Sequence, residues 1–322
     1  YQGPDRKSIN KVKLKTPEAG AKYKEFTGTL MWDEGAAGVD NAYVSKPYAC
    51  YVEITDEVKA AKQGVYTVAD VICSEGKLDN GRGGNSAGWS IFIIYKDPLL
   101  PNKYITSFDG FSIIRASDAP LDIPISGFRT NPFGDVNVKL AFSALEGDNR
   151  LKGDGLEIKG AKSSAWGAIS SLVRPIAPGT PEIPAVPAIP ANPPRDWWTY
   201  VPARPAVPAT PPVPNFFNSS ISDGDVILAG RTPASRNTLG YDAGVVKVDN
   251  KDNTIIQNDE TNATLRISTS SDSYYMFFNA LSVEIIAPKI VLRKNVLDKD
   301  GKNINGQPVT LSQDLQYEIK FK

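Results

Sequence analysis

"ATLRISTSSDSYYMFFNALSVEIIAP", residues 263–288, is the stretch that decides the class of this chain. Its two halves, 263–271 and 274–288, are rich in β-branched and aromatic residues and read as two strands. Working outward, "GVYTVADVICS" (64–74), "GWSIFIIY" (88–95), "YITSFDGFSII" (104–114), "NVKLAFSALEG" (137–147), "DVILAG" (225–230) and "AGVVKVDN" (243–250) have the same composition, bounded by Gly, Asn, Asp or Pro. Strands at this spacing predict an all-β chain built as a sandwich, jelly-roll or immunoglobulin-like, rather than alternating α/β units. One helix is expected, in "TDEVKAAKQG" (55–64), with Thr55 or Asp56 capping its start and Gly64 its end.

The composition, 41 % hydrophobic and 22 % charged, is that of a folded protein. Lys plus Arg equals Asp plus Glu at 36 each, so no overall field favours nucleic acid. No run approaches the ~20 apolar residues of a membrane-spanning helix, and "YQGPDRKSIN" lacks the pattern of a signal peptide. The chain has no histidine, which excludes Ser-His-Asp and Cys-His catalysis and imidazole-based metal sites. Carboxylate-pair chemistry survives that cut, with Asp109, Asp135, Glu146 and Asp154 as candidates by residue type. For Cys50 and Cys73, a disulfide and two separate small core residues both stay open.

From Arg174 to Asn215 proline recurs every third residue, at Pro175, Pro178, Pro181, Pro184, Pro187, Pro190 and Pro193, and again from Pro202 to Pro214. A polyproline II helix has three residues per turn, so the prolines share one edge, small residues a second and branched residues a third. The expectation is a hairpin of two such arms inserted into one domain, leaving it and returning at nearly the same place. Its bend would lie at Asn192–Val201, gathering Trp197, Trp198 and Tyr200 between Arg195 and Arg204. That cluster is the candidate ligand-binding site, for a surface glycan or a protein; clamping of the prolines by the same rings is the structural alternative.

"LEGDNRLKGDGLEIKG" sets Glu146, Asp148, Asp154 and Glu157 among glycines, a candidate calcium set, although the same residues build ordinary β-turns. No other cofactor is expected. A second acidic turn, "NVLDKDGKN" (295–303), reads as a hairpin. The Gly-rich "EGKLDNGRGGNSAGW" (75–89) reads as a loop, since no Lys-Ser/Thr follows as a phosphate cradle requires. The acceptor triplets at Asn218 and Asn262 are read as chance.

Several stretches, taken in order, resemble the large surface proteins of bacteria, especially the gliding-motility adhesins of flavobacteria (SprB-like). They include "VKLKTPEAGAKY", "YACYVEITDEV", "SAGWSIFIIYKDP", "SFDGF", "NFFNSSIS" and "NTLGYDAGVVKVDN". The tail from Leu292 looks like the opening of the immunoglobulin-like repeat that follows in such repeat proteins. The resemblance implies a secreted, non-enzymatic adhesin or interaction module at the bacterial cell surface, exported by type IX secretion, with other surface or secretion-system proteins as further partners. The domain expectation is 1–289 for the surface sandwich, with 174–215 inserted, and 290–322 for the start of the repeat, both ends being cuts in a longer chain. The alternatives are a structural subunit of an extracellular filament and a carbohydrate-active enzyme.

Overall fold

The computed structural model describes residues 6–36, 46–74, 85–147, 153–168, 216–228, 230–235, 237–271, 273–286 and 292–321. In chain order its elements are β1 (Lys11–Lys15), β2 (Lys24–Thr27), β3 (Thr29–Asp33), β4 (Tyr48–Tyr51), α1 (Thr55–Ala61), β5 (Thr67–Ala69), β6 (Lys103–Arg115), β7 (Leu121–Ile125), β8 (Val138–Leu145), β9 (Gly155–Gly160) and β10 (Gly167–Ala168). There follow β11 (Ile221–Asp223), β12 (Val226–Ile227), β13 (Tyr241–Lys247), a 3-10 turn (Lys251–Asn253), β14 (Ala263–Ser268), β15 (Ser273–Glu284), β16 (Leu292–Leu297) and β17 (Gln316–Phe321). They fall into two compact units, Tyr1–Lys96 with Lys103–Glu284, and Asp97–Asn102 with Ile285–Lys322.

The larger unit is a β-sandwich, as the strand-rich sequence predicts. A six-stranded sheet, in the order β12-β11-β13-β8-β15-β6, faces a four-stranded sheet, β10-β9-β14-β7. Strand side chains alternate between faces. In β8, Val138, Leu140, Phe142 and Ala144 therefore enter one core with Leu156 and Ile158 of β9 and Leu265 and Ile267 of β14. Each large apolar side chain stabilises the fold by about 1.5–3 kcal/mol when fully buried. In β15 the register shifts between Met276 and Phe278, and this bulge reverses the alternation. Before it Tyr274 and Met276 point into the core; after it Leu281 and Val283 do, which turns Phe278 to the outer face.

An aromatic group fills the centre of the core: Phe142 packs 5.0 Å from Phe216, and Phe217 lies 4.3 Å from Tyr274, centroid to centroid. The Tyr274 hydroxyl accepts from the Ser268 N–H at 3.1 Å and donates to the Gly155 carbonyl at 3.0 Å, so its burial leaves no polar atom stranded. Outside the four-stranded sheet, Arg266 grips Asp122 with two hydrogen bonds and lies 4.0 Å over Trp166.

The proline-rich stretch lies outside the described residues, but its two attachment points do not. Ala168 of β10 is paired with Glu157 of β9, and Phe216 donates its N–H, at 3.4 Å, to the carbonyl of Asp154, the residue before β9. The two attachment points therefore sit against one strand segment, at positions three residues apart, on the order of 10 Å at the rise of a strand.

The remaining elements of this unit are a three-stranded sheet, β2-β1-β5, the pair β3-β4, and α1. Several of them depart from expectation. The helix starts at Thr55, but neither Thr55 nor Asp56 caps it: Glu53 accepts the Thr55 N–H at 3.0 Å, and Lys62, not Gly64, closes the end with φ of 59°. The expected strand 64–74 is laddered only over Thr67–Ala69, and 225–230 only over Val226–Ile227. "GWSIFIIY" (88–95) enters no sheet at all. Cys50 and Cys73 are both free thiols and both exposed residues, so they are neither a disulfide nor small core residues.

In the smaller unit β16 and β17 pair antiparallel, and the Asp298 carboxylate accepts the N–H groups of Asp300 and Lys302, at 3.0 and 2.9 Å, to form the turn. Gly301 takes φ of +80° there, a conformation that favours glycine. Val296, Tyr317 and Ile319 share one face of the hairpin, with Tyr317 and Ile319 exposed; Asn295 and Glu318, hydrogen-bonded at 3.0 Å, hold the other.

Candidate functional site

On its outer face the six-stranded sheet forms the floor of a trench of about 1170 Å³. Asp109, Leu145, Tyr275 and Phe278 line the floor, Val12, Tyr48, Tyr51 and Val58 one wall, and residues 85–96 a second. Its capacity matches or exceeds that of ordinary ligand pockets, ~300–1,000 Å³.

Three residues fix the second wall. Gly88 lies so close to the Tyr241 ring that a Cβ there would meet it at 2.0 Å. Ser90 hydrogen-bonds the Tyr241 hydroxyl and the Ser143 hydroxyl, the latter at 3.1 Å, and the Phe92 ring stacks on Phe278 at 3.5 Å. Tyr241, Ser143 and Phe278 belong to β13, β8 and β15, which are consecutive in the sheet. The segment advances one strand for every two residues, so it crosses the sheet rather than running along it. That crossing is why "GWSIFIIY", strand-like in composition, forms no ladder with the strands beneath it.

Burial pushes the Tyr241 hydroxyl up to about 12, so it stays protonated and available to this network. Along the segment Trp89, Ile93, Ile94 and Tyr95 remain 44–69 % exposed, an apolar rim. On the facing wall Tyr51 donates to Glu53 at 2.8 Å, and the hydrogen bonds of Thr55 and Tyr51 hold the Glu53 carboxyl below its usual range. Burial, with the charge of Asp33 adding, pushes the Cys50 thiol up to about 11.

Trp197, Trp198, Tyr200, Arg195, Arg204 and Asp148 lie outside the described residues. Of the candidate calcium ligands, Glu146 lines the trench, Asp154 is buried beside Tyr274, and Glu157 lies on β9 between Leu156 and Ile158, facing away from the core. Among the described residues no group of three or more acidic or cysteine side chains is placed to hold a metal ion. The candidate catalytic carboxylates are also dispersed: Asp109 and Glu146 line the trench, whereas Asp135 is exposed in the loop before β8 and Asp154 belongs to the core. Asn218 is buried, its Oδ1 accepting from Ser220 at 2.6 Å, which leaves no room for a glycan.

One signal in the sequence marks the trench. Ile91, Phe92, Ile93, Ile94 and Tyr95 form an unbroken apolar run, unlike the alternation of a strand that covers a core on one face only. Comparison of the chain with protein-family models, with curated proteins and with solved structures gave no match.

Proposed function

We propose that this chain is a non-enzymatic interaction module of a large exported bacterial surface protein, acting as an adhesin outside the cell, with gliding motility as its setting. The observation that supports the reading is the exposed apolar rim Trp89–Tyr95 along a trench of ligand-binding size, on a face of the sandwich away from its core. The resemblance of the collinear motifs to gliding adhesins supplies the location and the export route. The aromatic bend at Trp197, Trp198 and Tyr200, flanked by Arg195 and Arg204, is the second contact surface in this proposal, suited by residue type to a glycan or a protein.

Attachment tests it. Beads coated with the chain should be retained on immobilised polysaccharides or on bacterial surface proteins above the level of an unrelated β-sandwich. Substituting Trp197→Ala with Trp198→Ala, or Ile93→Asp with Ile94→Asp, should lower retention without changing the melting temperature. Retention no better than the control, or unchanged in both variants, would overturn the proposal.

A further inference from the structure

Residues 86–96 are a strand without a sheet. They run without turn or bend, and Ser90 and Phe92 face the floor together, the two-residue period of extended backbone. Yet none of their N–H or C=O groups makes a backbone hydrogen bond to any described residue. Such groups are strong hydrogen-bonders, and an exposed row of them with no backbone partner is a ready template for pairing with another chain. The floor next to Phe278 carries Asp109, its cross-strand partner on β6, an exposed carboxylate with no ion pair or hydrogen bond among the described residues.

We infer that the trench takes an extended segment of a partner protein, which adds as a β-strand to residues 89–95 and brings a basic side chain over Asp109. The inference rests on the interaction-module reading and specifies what one of its surfaces holds. Backbone pairing supplies affinity with little dependence on sequence, and the alternate apolar side chains would fill the trench. The negative charge of Asp109 selects a Lys or Arg at one position, by charge complementarity. A glycan would satisfy the aromatic walls but not a row of alternating donors and acceptors at strand spacing.

Amide hydrogen exchange of the whole chain is the test, with the peptide Ac-TVTKTVTVT-NH2 as probe, its Lys on the same face as its Val residues. In the free chain the amides of residues 89–95 should exchange rapidly, and the peptide should slow them about tenfold or more with a Kd below ~1 mM. The same peptide N-methylated at alternate residues should give no protection, and Asp109→Asn should weaken binding of the lysine peptide while leaving a variant with Thr for Lys unaffected. Amides already protected in the free chain, equal binding of the methylated peptide, or no protection at any concentration tried would each overturn the inference. Protection by cellohexaose in place of the peptide would overturn it too, but would leave the adhesin proposal standing.

Discussion

Ala168 and Phe216, on either side of the proline-rich stretch, both attach to the β9 segment, the first through its pairing with Glu157 and the second through its N–H on the Asp154 carbonyl. The two ends of the stretch are therefore brought together by the sandwich itself. Replacing residues 171–213 with a linker of about six Gly and Ser residues, which can span ~20 Å, should leave the fold intact. The shorter loop should raise stability by up to about 2 kcal/mol if the stretch makes no contact with the sandwich. Circular dichroism and denaturant titration check both; loss of the β signature would show that the insertion belongs to the core.

The Asp242 carboxylate, buried on β13, accepts the N–H groups of Asn218, Ser219 and Ser220 at 3.0–3.2 Å. Asp242→Ala strands those donors and should cost about 3 kcal/mol or more. Gly147→Ala should act on the same arrangement, because a Cβ there would lie 2.2 Å from Asp242 Oδ2. Since both substitutions disturb one network, the double variant should lose less than the sum of the two, as a double-mutant cycle would read.

Glu260 is almost fully buried; one of its oxygens accepts the Lys162 N–H at 2.7 Å and the other has no partner among the described residues. Burial raises its carboxyl above the usual value. The folded state thus holds the proton more tightly than the unfolded one. Its contribution to stability is full below the ordinary carboxylate value, ~4.3, and is lost as pH rises from there through the raised folded value. Glu260→Gln should remove that loss, so that wild type falls relative to the variant between about pH 4 and about pH 7. Parallel denaturation curves at the two pH values decide it.

With its thiol near 11, Cys50 should be labelled slowly by iodoacetamide at about pH 8, where only ~0.1 % would be thiolate. The rate should rise about tenfold per pH unit until the thiol titrates. Because both cysteines are free, a reductant should leave the melting temperature unchanged; a fall would reveal a disulfide.

The long strands were legible because they carry their own signals. "YYMFFNALSVEIIAP" is rich in aromatic and β-branched residues, and lies within or just beyond β15, Ser273 to Glu284. The bulge that turns Phe278 outward was not legible, because it depends on the register with β6 and β8 rather than on any local residue. The same holds for "GWSIFIIY": composition marks extended backbone, but its angle across β13, β8 and β15 is set by where Ser90 and Phe92 find partners. The acidic run Glu146–Glu157 looked compact in the chain, yet β9 sends Glu157 outward while Asp154 is buried. Proximity in sequence carries no information about which side of a strand a carboxylate faces until the pairing is known.

β15 lies between β8 and β6, and its last paired residues, Val283 and Glu284, face Tyr104 and Lys103. A pull along its axis from Glu284 would meet two antiparallel ladders at once, loading their hydrogen bonds together in shear instead of opening them singly from an edge. Under tension, then, the bulged strand that orients the trench floor is also placed to be among the last to slip.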